Sequence, residues 1–239
     1  MRAQLSLLFG GALAAASTHG ASASILVTYN GPSGLKAEAE FTVVNPTTLQ
    51  VRLRNLSTGV PGGFSNSDQI LTGVSWDFIQ AISITGGSVM TGPNSQSLNF
   101  SILNVGPNAD VSGEWGYGNT DGSGALSNFF STNGAQATPF GGANLDSTVN
   151  IDGPQAGLVA NPVIVPLAGL GAIQDEVIAT LNLSGSITEA KLLADLLINH
   201  TFVEYGSDAA FVEGQVPAPA AVALLGVAGA LGHRRRRRG

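Results

Sequence analysis

Side chains able to do chemistry are sparse in these 239 residues, and histidine occurs only three times. His19, His200 and His233 are the three, and the first and last belong to end segments that read as removable, which leaves His200. A Ser-His-Asp triad needs one well-placed imidazole, whereas a histidine metal site needs two or more. His200 follows Asn199 where a helical pattern gives way to a strand pattern, which predicts a hydrogen-bonded structural imidazole rather than a base. Cysteine is absent, so thiol catalysis and Cys-based metal sites are excluded. Without disulfides, packing or a bound ion must hold the fold.

Carboxylates form a larger pool, and glycoside hydrolysis needs only two of them, roughly 5 to 9.5 Å apart. Asp175 and Glu176 are adjacent, and adjacent residues on a strand project to opposite faces. Asp77, Asp110, Glu114, Asp146 and Asp152 are scattered through strand and loop patterns, so only the tertiary fold can bring them together. A secreted glycan hydrolase is therefore the least favoured class, and no catalytic residue is assigned. Calcium suits the loops better, because Asp, Asn and main-chain oxygens match a hard cation. Asn119 to Gly124 (NTDGSG) and Asn144 to Gly153 (NLDSTVNIDG) are the candidate segments. Neither has the acidic register of an EF-hand loop or a tandem Gly-Gly-x-Gly-x-Asp repeat, and polar turns account for both. The expected cofactor set is thus none, with calcium as the one candidate.

No Gly-Lys phosphate loop is present, and Gly86-Gly87 and Gly141-Gly142 read as turns. Among the aromatic residues, Trp76 shares its strand face with Val74 and Phe78 and is expected in the core. Trp115 and Tyr117, set among Gly113, Gly116 and Gly118, are the pair expected to be exposed, as the glycan contact of a carbohydrate-binding module.

The elements that must position these groups are short strands. Ser24 to Asn30 is β-branched and stops at Gly31-Pro32; Ala39 to Asn45 and Thr48 to Arg54 flank the turn signal Asn45-Pro46-Thr47. Leu49, Val51 and Leu53 alternate with Gln50, Arg52 and Arg54, one face toward a core and the other toward water. Leu71 to Phe78, Ala81 to Met90, Leu98 to Val105 and Val111 to Tyr117 continue the series. Gly118 to Gly171 is Gly-, Asn- and Ser-rich, broken by patches at Phe129-Phe130 and Gly157 to Ala160. Strand character returns at Glu176 to Leu183 and His200 to Tyr205, with one short helix near 188–197, where Ser186 to Glu189 has capping-box spacing. The pattern predicts an all-β fold, a β-sandwich or jelly-roll-like barrel, followed by a separate apolar C-terminal segment.

Both ends differ from this body. Arg2 precedes the apolar stretch Leu5 to Ala16, and Ala21 and Ala23 supply the small residues of a leader-peptidase site, so residues 1–23 read as a signal peptide. Val216 to Gly232 is 17 residues of Ala- and Gly-rich apolar chain, short of the roughly 20 that span a bilayer comfortably. Arg234, Arg235, Arg236, Arg237 and Arg238 follow, and the positive-inside bias puts them on the cytoplasmic side. From Ser24 to Gln215 there remain Lys36, Arg52, Arg54 and Lys191 against all 16 acidic residues, a net charge of −12. Such a body repels nucleic acid and anionic membrane, so the arginine run is not read as a nucleic-acid contact.

Val216-Pro217-Ala218-Pro219, then the short apolar stretch, then the arginine cluster, resembles the PEP-CTERM sorting signal that exosortases recognise, with Ala218 where the family's usual Glu stands. LTGVSWDF, VSGEWGYG, NIDGPQAGLVA, LNLSG and FVEYGSD, in that order from Leu71 onward, resemble the XDD-type exosortase-dependent surface proteins. The resemblance implies an exported protein at the cell surface or in the extracellular matrix, processed by an exosortase, with a structural or adhesive role in the bacterial envelope or exopolysaccharide layer. Its implied partners are the exosortase, envelope or extracellular polysaccharide, and the membrane transiently through 216–232. The expected organisation is residues 1–23 signal peptide, 24–212 surface domain and 213–239 sorting signal.

Overall fold

A computed structural model of the chain describes residues 24–118, 126–134, 137–146 and 151–216. Its strands are β1 Ser24–Asn30, β2 Lys36–Asn45, β3 Thr48–Asn55, β4 Leu71–Trp76, β5 Ile84–Thr91, β6 Gln96–Leu98 and β7 Gly116–Gly118. They continue with β8 Asn128–Ser131, β9 Thr138–Pro139, β10 Leu158–Val159, β11 Ala172–Gln174, β12 Glu176–Leu183, β13 Thr201–Tyr205 and β14 Ala210–Gln215. One α-helix, α1, spans Glu189–Ile198.

The fold is all-β and sandwich-like. All 14 strands belong to one curled sheet with the path β5-β12-β3-β2-β1-β14-β13-β4-β10-β11-β6, while β8 branches from β4 and carries β7 and then β9. Pairing is antiparallel except between β10 and β11. Curling brings the two halves face to face: Phe41 on β2 packs edge-on against Trp76 on β4 at 5.4 Å between centroids, and Trp76 against Phe78 at 6.2 Å. Such edge-to-face pairs contribute about 0.5–1.5 kcal/mol beyond their burial. Polar groups are matched across the same gap, where the Tyr29 hydroxyl meets Thr201 Oγ1 at 2.7 Å and Asn55 Nδ2 donates to the Leu158 carbonyl at 2.9 Å.

Local chemistry explains the long hairpin. Asn45 Oδ1 accepts from the Thr47 N–H at 3.0 Å, closing an Asx turn that sets β2 against β3 with Asn45 opposite Thr48. Leu49, Val51 and Leu53 are fully buried, and Gln50, Arg52 and Arg54 are half-buried on the other face, as their alternation predicts. On β4 the polar face is covered instead of wet. Thr72 and Ser75 are buried: Ser131 Oγ at the end of β8 donates to the Thr72 carbonyl, Asn133 Nδ2 beyond it donates to Thr72 Oγ1, Glu204 Oε1 and the Gly206 carbonyl, and Ser75 Oγ donates to the Phe202 carbonyl at 3.4 Å.

Several expected boundaries move. Strand structure between Leu98 and Val105 ends at Leu98, where Asn99 turns to a φ of +61°, and Ile102 and Leu103 are exposed. Between Val111 and Tyr117 the chain first makes a 3-10 turn, Ser112–Glu114, before β7 begins at Gly116. The helix is capped by Thr188, whose side chain accepts from the Lys191 N–H at 3.4 Å, and not by Ser186. Leu192 and Leu196 join the main core, while Leu197 is exposed. The domain boundary expected at residue 212 falls inside β14, which pairs with both β13 and β1 through Gln215. Glu213 to Gln215 therefore belong to the β body, and Val216 packs against its core. No helix among the described residues is long and apolar enough to cross a membrane.

Candidate functional site

The scattered carboxylates converge at one place. Val111 is held to β5 by its N–H to the Val89 carbonyl at 2.9 Å, and Ser112 Oγ accepts from the Val89 N–H at 2.9 Å. This anchor starts the 3-10 turn that aims Glu114 inward, where it is 1% exposed. Trp115 then plugs the core against Phe130, with centroids 5.4 Å apart. Gly113 permits the approach of the second wall, since a Cβ there would lie 2.3 Å from the Ala143 carbonyl oxygen. Across that contact the Leu145 N–H donates to Glu114 Oε1 at 2.5 Å.

Asp146, one residue on, and Asp152 complete the group. One carboxylate oxygen from each of Glu114, Asp146 and Asp152 lies within 4.8 Å of the other two. Burial pushes the Glu114 carboxyl up to about 7 from 4.5, against the opposing pull of the Leu145 N–H, and the charges of Asp146 and Asp152 raise it further. Its second oxygen, Oε2, is buried and has no hydrogen-bond partner among the described residues. The two aspartates lie in the 144–153 segment singled out for calcium; Glu114 does not, and the sequence named it only among the scattered carboxylates, not as a calcium ligand. Its signal was a lone acid in Ser-Gly-Glu-Trp-Gly, small residues on one side and a core tryptophan on the other.

A second charged group lies on the sheet face of β2, β3 and β12. The register sets Arg52 opposite Glu40 and Arg54 opposite both Glu38 and Glu176. Glu176 Oε2 receives Arg52 Nε at 2.6 Å and lies 3.2 Å from Arg54 Nε, while Glu40 and Glu38 each sit 3.6 Å from their arginine. Asp175 and Glu176, expected on opposite faces, both reach Arg54, because Asp175 lies outside the strand with a φ of +81°. Hydrogen bonding to Glu176 raises the Arg52 guanidinium further, so this group is a structural charge ladder.

Trp115 is fully buried, which corrects its assignment as an exposed glycan contact: the flanking glycines admit neighbouring chain instead of exposing the ring. Tyr117 is half-buried, stacked on Phe140 at 5.0 Å with its hydroxyl donating to the Thr85 carbonyl at 3.0 Å. The two residues do not form a shared platform. His200 is hydrogen-bonded through Nδ1 to Glu213 on β14. Asp77 accepts from Ser127 and Asp110 from Ser112, and neither belongs to the three-carboxylate group. Ala21, Ala23, Pro217, Ala218, Pro219, Arg234 to Arg238 and the 119–124 calcium candidate lie outside the described residues.

No family model, curated protein or solved structure matches the chain.

Proposed function

We propose that this chain is an exported cell-surface or extracellular-matrix protein, trimmed at both ends and processed by an exosortase, with a structural or adhesive role in the envelope or exopolysaccharide layer. The observation that carries this reading is the pairing of the two terminal strands. β1 includes Ser24, which follows the expected leader cleavage, and the β1–β14 register sets Thr28 opposite Gln215. In an antiparallel pair the chain leaving β14 at Val216 heads toward the same end of the sheet at which Ser24 enters. Trimming after Ala23 and beyond Val216 would thus leave every strand among the described residues in place. The net charge of −12 over this body supports a soluble, self-repelling module on the outer side of a membrane.

Intact-mass measurement on protein isolated from the producing cell's envelope tests the reading. The expected species starts at Ser24 and lacks Arg234 to Arg238. Recovery of a chain that still carries its arginine tail as the sole envelope form contradicts exosortase processing.

A further inference from the structure

The geometry points to a calcium site formed by Glu114, Asp146 and Asp152, in which one ion bridges the 3-10 turn before β7 to the loop that follows Gly142. This goes beyond the surface-protein reading and does not depend on it. A group of acidic side chains alone often means only a solvated face. Here the innermost member is different: Glu114 is buried, and its Oε2 has no hydrogen bond among the described residues, although it belongs to a group whose oxygens converge. A buried polar atom left unsatisfied costs about 1–3 kcal/mol, and more when it is charged, so a fold that keeps one beside two further carboxylates is set up for a cation.

The donor set selects the ion class. All three donors are carboxylate oxygens, with no sulfur and no imidazole among them, which suits a hard divalent cation. Two oxygens on opposite sides of calcium, each at about 2.3–2.6 Å, are about 4.6–5.2 Å apart; on magnesium, at about 2.0–2.1 Å, they are about 4.0–4.2 Å apart. Oxygens gathered within 4.8 Å are close enough for one ion of calcium's size to draw together with only small movements. Calcium also accepts six to eight oxygens in irregular geometry, which loops can supply together with main-chain carbonyls and water. Three negative charges on a divalent ion leave one in excess, so the ion removes most of the repulsion that Asp146 and Asp152 exert on Glu114. The role that follows is structural. In a chain without cysteine, the ion ties a long polar loop to the sheet as a disulfide otherwise would.

The test uses the purified full chain, stripped with chelator and titrated with calcium chloride alone and with magnesium chloride alone, read by calorimetry and by thermal unfolding. The expected result is saturable binding of one calcium ion, a melting temperature raised by several degrees at saturation, and magnesium binding at least tenfold weaker. Glu114→Gln should weaken calcium binding at least tenfold. Asp152→Asn, at the half-buried rim and less prone to disturb folding, should weaken it similarly, while Glu189→Gln on the helix leaves it unchanged. No heat and no melting shift with calcium in the wild-type chain overturns the proposal. Equal affinities in wild type, Glu114→Gln and Asp152→Asn overturn it too, by moving the binding elsewhere.

Discussion

Replacing Glu176 by glutamine removes the charge at the centre of the arginine ladder while keeping the shape of the side chain. Its carboxylate is 1% exposed and lies 2.6 Å from Arg52 Nε and 3.2 Å from Arg54 Nε. At an effective dielectric of about 20, unit charges about 4 Å apart attract by about 4 kcal/mol, so the two pairs are worth about 8 kcal/mol before costs. Desolvating the carboxylate offsets several kcal/mol of this. The guanidiniums are 36% and 32% exposed, so water screens their side of each pair. Both arginines also keep partners in the variant, Glu40 for Arg52 and Glu38 with Asp175 for Arg54. The net loss expected for Glu176→Gln is about 2–3 kcal/mol, the range of hydrogen bonds to charged groups. At about 2–4 °C per kcal/mol for a domain of this size, the melting temperature falls by about 5–10 °C. Glu40→Gln is the internal control: its carboxylate is 35% exposed and 3.6 Å from Arg52, so its loss costs under about 1 kcal/mol. Thermal unfolding followed by circular dichroism, at physiological and at high salt, measures both variants. High salt should erase the Glu40 effect and leave most of the Glu176 effect, because a buried pair is screened little. Equal shifts for the two variants, or a Glu176→Gln protein more stable than wild type, would refute the reasoning.

In chelator, the Glu114 carboxyl titrates near about 7 in the folded chain against 4.5 unfolded, with Asp146 and Asp152 as the charges facing it. A folded pKa above the unfolded one means that folding takes up a proton between those values, so stability relative to Glu114→Gln rises as pH falls through about 7 and levels off below 4.5. Urea midpoints of the two proteins should converge in mild acid and separate above neutrality, and a constant gap contradicts the burial argument. Gly113→Ala places a Cβ 2.3 Å from the Ala143 carbonyl oxygen and should lower stability by about 1–3 kcal/mol, measured by urea unfolding. Trp115→Ala empties a fully buried site and should cost about 3–5 kcal/mol in the same assay; a loss below about 1 kcal/mol would mean that the indole is solvent-facing after all. A chain ended after Val212 loses the pairs Tyr29 to Gly214 and Thr28 to Gln215, so β1 amides should exchange hydrogen faster than in a chain ended after Val216; equal rates would show that the end of β14 does not hold β1.

Strands with strict alternation or an apolar run bounded by turns were legible one at a time: β1 ends at Asn30 and β12 has the limits its residues predict, and the β2–β3 hairpin turns at Asn45-Pro46-Thr47. Short strands inside the Gly-rich middle showed only as the patches at Phe129-Phe130 and Gly157 to Ala160, because β8 and β10 have too few residues for a period to show, and β11 just past it left no mark for the same reason. β14 was missed for a related reason: in Phe211-Val212-Glu213-Gly214 the two strand formers are followed at once by Glu and Gly, too short a run to show a period, and its strand state comes from lying between β1 and β13. Trp115 failed in the opposite sense. Glycines on either side looked like exposure, yet they serve to let Ala143 and Ile151 approach.

By itself the sequence determined the all-β class, the charge of the body and the lack of thiol side chains, because these depend on composition and on local order along the chain. Only the tertiary structure decided which carboxylates meet. Glu114 and Asp152 are 38 positions apart, and neither carries a mark of the other. Their convergence follows from the curl of the sheet, from the tight contact at Gly113, and from the burial that leaves one glutamate oxygen without a partner among the described residues. Each of these is a property of packing in three dimensions, for which no period or motif in the chain exists.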